Sequence, residues 1–574
     1  MGLNIRAGAP APGAAPRAWP ARHGAGLYDS RFHSSSSRNP PPPASPMPIA
    51  AIAAPLTLLA VALPFLFSVT SPPSTNVWPL LTSWSCITLL AALAWLRALR
   101  SRRHPELCDG GTTAATWLAL GLLLAAVVGS VVCLVQYFGG DVGLAPWIHA
   151  STPGQAVGNL RQRNQQATLV ALGAWALAWS VAQWQARGAG GARHPRVPES
   201  LAGLAFGMAL TVLALASAAT SSRTGAVQWL VIVVLLLWWR RSLGRMALGV
   251  ALGGVVLYIA AAWLLPLALH GFSGVQAEGL FNRFSGDSHQ CTSRRVLWSN
   301  VLTLIAQKPW TGWGWNELDY AHYSTLFPGE RFCVLLDNAH NLPLHLAVEL
   351  GLPAAVLLCG AALWFTLQAR PWRETDPVRQ LAWGVLALIG AHSMLEFPLW
   401  YGPFQLAALG AVALLWPRRR MPRPPSAMLL AATGVALVAG TVFLAWVAHD
   451  YHRISQLYKV PDKRDPAYRD MAPATTAPSL LFEDQVDFAL LPSIALTPAT
   501  AQQVFDLSGQ LLHYSPEPRV IERRIDSAVM LGRDDEAAYH LLRYRIAYPK
   551  DHARWLNKKA PPAPRAPASS KTQE

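Results

Sequence analysis

The chain predicts an all-α, polytopic membrane protein with about 11 transmembrane helices, and three observations carry that prediction. Hydrophobic residues make up 52% of it and charged residues only 14%. The apolar residues come in blocks of about twenty, the helix length that crosses ~30 Å of hydrocarbon. Basic residues cluster between alternate blocks, where they orient helices. The net charge of +16 therefore does not point to nucleic acid, since no basic helix or aromatic-basic platform accompanies it.

Before Met47 the chain is Pro, Ala, Gly, Ser and Arg without periodicity, including Ser34 to Ser37 and Pro40 to Pro43. Such a segment buries no core, so residues 1–47 are expected to be disordered, or translation to begin at Met47. The spans follow at roughly 48–69, 77–98, 113–136, 166–186, 201–219, 224–239, 246–268, 344–367, 379–398, 402–416 and 427–447. Arg97, Arg100, Arg102 and Arg103, then Arg187, Arg193 and Arg196, then Arg240, Arg241 and Arg245, then Arg370, Arg373 and Arg379, and last Arg418, Arg419, Arg420 and Arg423 fall in alternate connections. By the positive-inside rule these are cytoplasmic, with the N-terminus on their side and the C-terminus in the periplasm of a bacterial inner membrane.

The transmembrane domain then covers 48–447 and includes a periplasmic loop, 269–343. Beyond Val447 the periodicity changes to amphipathic helices of soluble type at about 499–513, 518–531 and 535–547, with Ala537, Leu541, Leu542 and Ala547 as the apolar face of the last. Residues 448–559 read as a small periplasmic helical module suited to docking or scaffolding, followed by a disordered tail, 560–574.

Five polar clusters reach the outer face of this topology. They are Gly158 to Gln166, rich in amides and guanidinia; the turn Thr220 to Gly225 around Arg223; Ser293-Arg294-Arg295 with Trp298, and further on Pro309 to Gly314; Asp337-Asn338-Ala339-His340-Asn341; and His392 to Tyr401. Each has an ordinary reading. Arg295 and Arg331 at a span end can snorkel to headgroups. Trp310, Trp313 and Trp315 on their own fit an interfacial belt, and Glu349 and Glu396 can pair with neighbouring Arg. Arg223 stands apart, because so short a turn holds it near the bilayer surface among hydroxyls, a setting for an anion. Ionisable groups at a membrane edge are costly enough to count as functional candidates.

Gly158-Asn159-Leu160-x-Gln162-x-Asn164, Ser222-Arg223-Thr224-Gly225, Arg294-x3-Trp298, Pro309-x2-Gly312-x-Gly314 and His340-Asn341 before Glu349-x-Gly351 resemble the O-antigen ligase superfamily. His392-Ser393-x2-Glu396-x-Pro398-Leu399-Trp400 is similar to its protein-glycosylating branch, the pilin-type O-oligosaccharyltransferases, and Arg163 departs from the Pro usual there. The resemblance covers about residues 48–550 and implies transfer of a preassembled glycan from undecaprenyl pyrophosphate to a Ser or Thr hydroxyl of a pilin or other periplasmic protein. The residue chemistry fits independently. Arg223 and Arg294 suit the pyrophosphate, because planar guanidinium forks stabilise charge developing on a leaving oxygen. His340 suits the general base. Gln162, Asn164, Asn341, His392, Glu396 and Tyr401 are candidates for the substrates, with Glu396 placed to orient His340 or His392. The scheme requires no metal or other cofactor. The rival readings are an O-antigen ligase or polymerase acting on lipid A or sugar acceptors, and a transporter of lipid-linked glycan, although polar groups gathered at one face argue against transport.

Of six cysteines, only Cys291 and Cys333 fall in the outer compartment, and a disulfide is expected between them. It would tie the segment of Arg294 to that of His340.

Overall fold

The computed structural model describes residues 49–103, 111–189, 198–277, 279, 290–416 and 426–559. The segments expected to be disordered at either end, Cys108, and the basic residues Arg193, Arg196, Arg418, Arg419, Arg420 and Arg423 lie outside the described residues. The described chain is all helical, without a strand.

Hydrophobic helices come first: α1 (Ile49–Leu66), α2 (Val77–Arg103), α3 (Gly111–Gly139), α4 (Arg163–Ala189), α5 (Glu199–Ala219), α6 (Arg223–Trp238) and α7 (Arg240–Ser273). The outer loop folds into α8 (Arg294–Gln307) and α9 (Leu318–Ser324), and α10 (Leu342–Ala369), α11 (Pro377–Ser393), α12 (Gly402–Leu415) and α13 (Ala427–Ser455) return to hydrophobic sequence. Seven of these, α2, α3, α4, α5, α7, α10 and α13, are long and apolar enough to cross a bilayer. The other four expected spans differ. The apolar part of α1 is Ala53–Leu66, and α6, α11 and α12 have 16, 17 and 14 residues. At 1.5 Å per residue such lengths reach ~21–26 Å, short of the hydrocarbon thickness.

α4 forms the axis of the bundle, with α3, α5, α6, α7 and α11 packed around it; Trp175, Trp179, Leu169, Leu172 and Leu177 are fully buried there. Polar connections sort to the two ends. At one end Trp179 Nε1 donates to Pro377 O (2.7 Å), Trp239 Nε1 to Pro371 O (2.9 Å) and Gln380 Nε2 to Ser242 Oγ (2.6 Å). At the other, Tyr451 Oη donates to Ser71 O and Ser74 O (2.7 and 2.8 Å), Arg161 Nη2 to Thr75 O (2.6 Å) and Asn76 Nδ2 to Trp400 O (2.9 Å). The first loop, the loop before α4, the loop after α11 and the start of the C-terminal segment thus meet at one end.

α10 is interrupted. Gly351 has φ +85° and ψ 162°, a left-handed conformation that breaks the helix. The carbonyls freed there accept from the neighbouring loop: Trp313 N donates to Val348 O (2.9 Å) and Gly314 N to Glu349 O (3.0 Å), while Leu352 N donates back to Pro309 O (2.8 Å). Backbones approach so closely that a Cβ on Gly312 would stand 2.2 Å from Glu349 O, and one on Gly351 2.3 Å from Trp310 O. Pro309-x2-Gly312-x-Gly314 and Glu349-x-Gly351 are therefore two halves of one joint. Trp313 packs within it, its Nε1 donating to Leu304 O (3.0 Å). Arg331 braces the same loop, donating to His322 O (2.6 Å) and Thr325 O (3.2 Å).

The C-terminal module contains α14 (Glu483–Leu490), α15 (Ala501–Tyr514), α16 (Pro518–Met530), α17 (Asp534–Ala547) and α18 (Pro549–Lys559). The apolar face expected for α17 is corrected: Ala537, His540 and Tyr544 are buried, while Leu541 and Leu542 face outward. The reason is chemical. His540 and Tyr544 bury apolar ring bodies because their polar tips are satisfied, by Tyr323 Oη (3.0 Å) and Glu522 Oε1 (2.6 Å). Tyr323 belongs to α9, which is clamped further by Arg543 donating to Ser324 O (2.7 Å) and by Glu317 paired with His513 (2.8 Å).

A disulfide joins Cys291 to Cys333, with Cα atoms 5.4 Å apart and a sequence separation of 42. Non-reduced, alkylated protein from an oxidising compartment should yield one linked peptide carrying both cysteines, and Cys291→Ser should lose ~2–4 kcal/mol of stability in thermal unfolding; alkylated thiols at both positions would contradict the bond. Gly312→Ala and Gly351→Ala should each destabilise the detergent-solubilised protein by roughly 2 kcal/mol or more, since a Cβ strikes backbone at a strained φ. Unchanged melting of both variants would show that loop and helix are not interlocked.

Candidate active site

Three helices begin with arginine and open onto one cleft. Arg163 starts α4, Arg223 starts α6 and Arg294 starts α8, and all three line a cavity of about 980 Å³ with Arg161, Arg295, Gln162, Asn164, His340 and Glu396. A helix N-terminus carries partial positive charge, so a cation at its first residue is unfavourable. Three such placements on one cavity give it a chemistry suited to an anion.

Local caps hold these starts in place. Ser293 Oγ accepts from Val296 N (3.3 Å) at the head of α8, and Ser222 Oγ accepts from Gly225 N (3.2 Å) at the head of α6. Ser222 also donates to Asn164 Oδ1 (2.7 Å), and Asn164 Nδ2 donates to Glu396 Oε1 (3.0 Å). That same oxygen accepts from Arg294. Glu396 Oε2 bonds His340 Nδ1 at 2.6 Å.

Glu396 is nearly buried. Burial works against its charge, but the hydrogen bond from His340 and the charges of His340 and Arg294 outweigh it and hold the carboxyl below the usual range. Burial lowers the Arg294 guanidinium from its ordinary value against the pull of Glu396, and nearby Arg223 lowers it further. The turn after α11 puts Glu396 here. The expected span to Pro398 stops at Ser393, where His392 O accepts from both Leu395 N and Glu396 N (2.9 Å each), so Glu396 leaves the helix and enters the cleft.

His340 has φ +51°, Arg161 +60° and Ser221 +48°, three strained non-glycine residues at or beside one site. Asn338 Oδ1 accepts from His340 N (2.8 Å) and steadies that turn. With Nδ1–H directed at the carboxylate, the neutral imidazole keeps its Nε2 lone pair for a proton.

The remaining candidates occupy other places. Gln162 lines the cleft and its Oε1 accepts from Gln165 N (2.7 Å). Asn341 caps α10 through Leu344 N (3.1 Å) and donates to Met394 O (2.9 Å). His392 is fully buried beneath the site, its Nδ1 2.9 Å from Thr168 Oγ1. Tyr401 stacks on Phe397, 5.8 Å between ring centres, which meets His340 edge-on at 4.9 Å. Sequence reasoning did not single out Arg161 or Arg163 as cleft residues, and it left Arg295 open between a headgroup anchor and a site residue. The available signal was their position beside predicted helix starts.

Comparisons with known proteins fall on the same pieces. Residues 156–179 match the family described as protein glycosylation ligase, residues 206–359 the O-antigen ligase family, and residues 380–561 the C-terminal part of a virulence factor membrane-bound polymerase family. The three stretches contribute Asn164, then Arg223, Arg294 and His340, then Glu396. A general O-oligosaccharyltransferase of Acinetobacter baylyi is 28% identical over 195 residues, 33% of this chain and 32% of that protein, so the match spans about a third of the relative's length. In these segments the chain is similar to the O-antigen ligases and their protein-glycosylating branch, families of glycosyltransferase-type enzymes that work in membranes.

Proposed function

We propose that the protein transfers a preassembled glycan from undecaprenyl pyrophosphate to a Ser or Thr hydroxyl of a pilin or other periplasmic protein, with its clefted end facing the periplasm. The observation that carries this reading is the Glu396 carboxylate shared between His340 and Arg294. One group thereby orients a base and holds one member of an arginine cluster.

The acceptor hydroxyl attacks the anomeric carbon and gives its proton to His340 Nε2, while Glu396 stabilises the imidazolium through Nδ1. The bond from the anomeric carbon to the pyrophosphate oxygen breaks, and the departing charge falls to Arg223 and Arg294. The several negative charges of that leaving group match the surplus of guanidinia. A second reading, a polymerase that extends glycan on a sugar acceptor, is favoured by the match of residues 380–561. Glycosylated protein bands in cells support the first reading, and an altered lipopolysaccharide ladder the second.

His340→Ala should reduce transfer by ~10²- to 10⁴-fold while the protein still inserts and binds lipid-linked donor. Purified variant, donor and Ser-bearing acceptor decide the matter, and near-normal transfer would remove His340 as the base. Arg223→Lys and Arg294→Lys should each lose most of the activity, because a point charge does not reproduce a bidentate fork. Full activity in both would reduce them to topological charges.

A further inference from the structure

Beside the cleft lies an aromatic shelf that the reaction above does not use. Trp315 stacks on Trp400 with 6.1 Å between ring centres and 15° between planes, and His345 meets both edge-on, at 6.2 and 4.9 Å. Trp315 remains 59% exposed, so an indole face supported from behind is offered to the surroundings. Tyr401, next in sequence to Trp400, stacks on Phe397, which meets His340 edge-on. Two buried polar atoms near the shelf have no hydrogen-bond partner among the described residues: Asn76 Oδ1, whose amide nitrogen bonds the Trp400 carbonyl, and Nη1 of Arg161, which lies close to Tyr401 and lines the cleft.

A tryptophan at a membrane edge ordinarily belongs to an interfacial belt. Two observations argue for a position of this pair beyond the hydrocarbon. Counting the ~20 residues of a span back from Ala369, the end of α10, reaches about Leu350, and the exposed apolar row of that helix, Val356, Leu357 and Leu358, begins at Leu352. The turns before it carry no exposed residue, and they hold His345 and Glu349 as a buried pair 3.5 Å apart. Such a pair is costly at lipid depth.

We infer that the Trp315–Trp400 shelf is a carbohydrate subsite that receives pyranose rings of the glycan. The axial C–H bonds of a pyranose present a weakly positive apolar face that packs on an indole, whose π face is negative, while the ring hydroxyls reach polar neighbours. This inference rests on the transfer reading for the identity of the glycan, since sugar rings adjoining the pyrophosphate must lie outside the bilayer and near the base. The shelf meets both conditions.

Saturation-transfer NMR on the full-length protein in lipid nanodiscs, with chitotetraose and maltotetraose as probes, tests the subsite without the reaction. Ring protons of at least one sugar should receive saturation from the wild type. Trp315→Ala should bind it roughly fivefold to tenfold more weakly, the loss expected for one aromatic stacking contact, and Trp315→Phe should keep most of the binding. No saturation of either sugar by the wild type, or equal saturation in Trp315→Ala, overturns the subsite. So does a component of fluorescence quenching by brominated acyl chains that is present in the wild type and lost in Trp315→Phe, because it would place that indole in lipid. A signal that depends on Trp315, in a wild-type protein that transfers glycan to no hydroxyl, overturns the transfer reading and leaves the subsite standing.

Discussion

Convergence of like charge is the constraint on which the rest of this structure depends. Arg163, Arg223 and Arg294 stand at the positive ends of their helices and share a cleft with Arg161 and Arg295, and Glu396 is the one carboxylate among its described lining residues. Each placement opposes the helix dipole by a few tenths of a kcal/mol to about 1 kcal/mol, and the repulsion between guanidinia adds to it. A fold arranged for stability alone would put acids there. Glu396 pairs with Arg294 and aligns His340 with the same carboxylate, and under the proposed function the remaining guanidinia face the pyrophosphate.

Holding that carboxylate, His340 and the guanidinia in register falls to the connections between the helices. α8 brings Arg294, the turn before α10 brings His340, and the turn after α11 brings Glu396. Three ties fix them: the Cys291–Cys333 bond, the backbone exchange between the Pro309 loop and the break at Gly351, and Trp298 Nε1 donating to Ala339 O (3.1 Å). The break in α10 serves this end. An unbroken helix would have no free carbonyls for the loop, and the joint between loop and helix would be lost.

The C-terminal module extends the same logic outward. Its core includes Tyr323 of the loop helix α9, and His540, Arg543 and His513 grip that short helix from the other side. A seven-residue helix has too few backbone hydrogen bonds to stand alone. Docking against the module stabilises α9, and through Arg331 and His322 the region beside Cys333.

Much of this was legible in composition and pattern. Apolar blocks and alternating arginines set the class, because a bilayer requires helices of a minimum length and orients them by charge. Arg223 was identifiable because so short a turn leaves it no choice of depth, and Arg294, His340 and Glu396 were marked as chemistry placed at a membrane edge. Their partnership was not legible. Arg294 and Glu396 are separated by 102 residues in sequence and His340 and Glu396 by 56, and periodicity says nothing about which loops cross. Sequence could not separate two roles for Glu396, as partner of His340 or of His392; that waited on where α11 ends, at Ser393 and not at Pro398. The apolar face of α17 was misjudged for a related reason, since His540 and Tyr544 count as polar by pattern and bury only once distant partners take their polar tips. Sequence by itself determined the class, the polar clusters and their shared face, because those follow from hydrophobicity and chain connectivity. Tertiary structure alone decided the shared carboxylate, the joint at Gly351 and the aromatic shelf, because each depends on contacts between segments that local physics leaves independent.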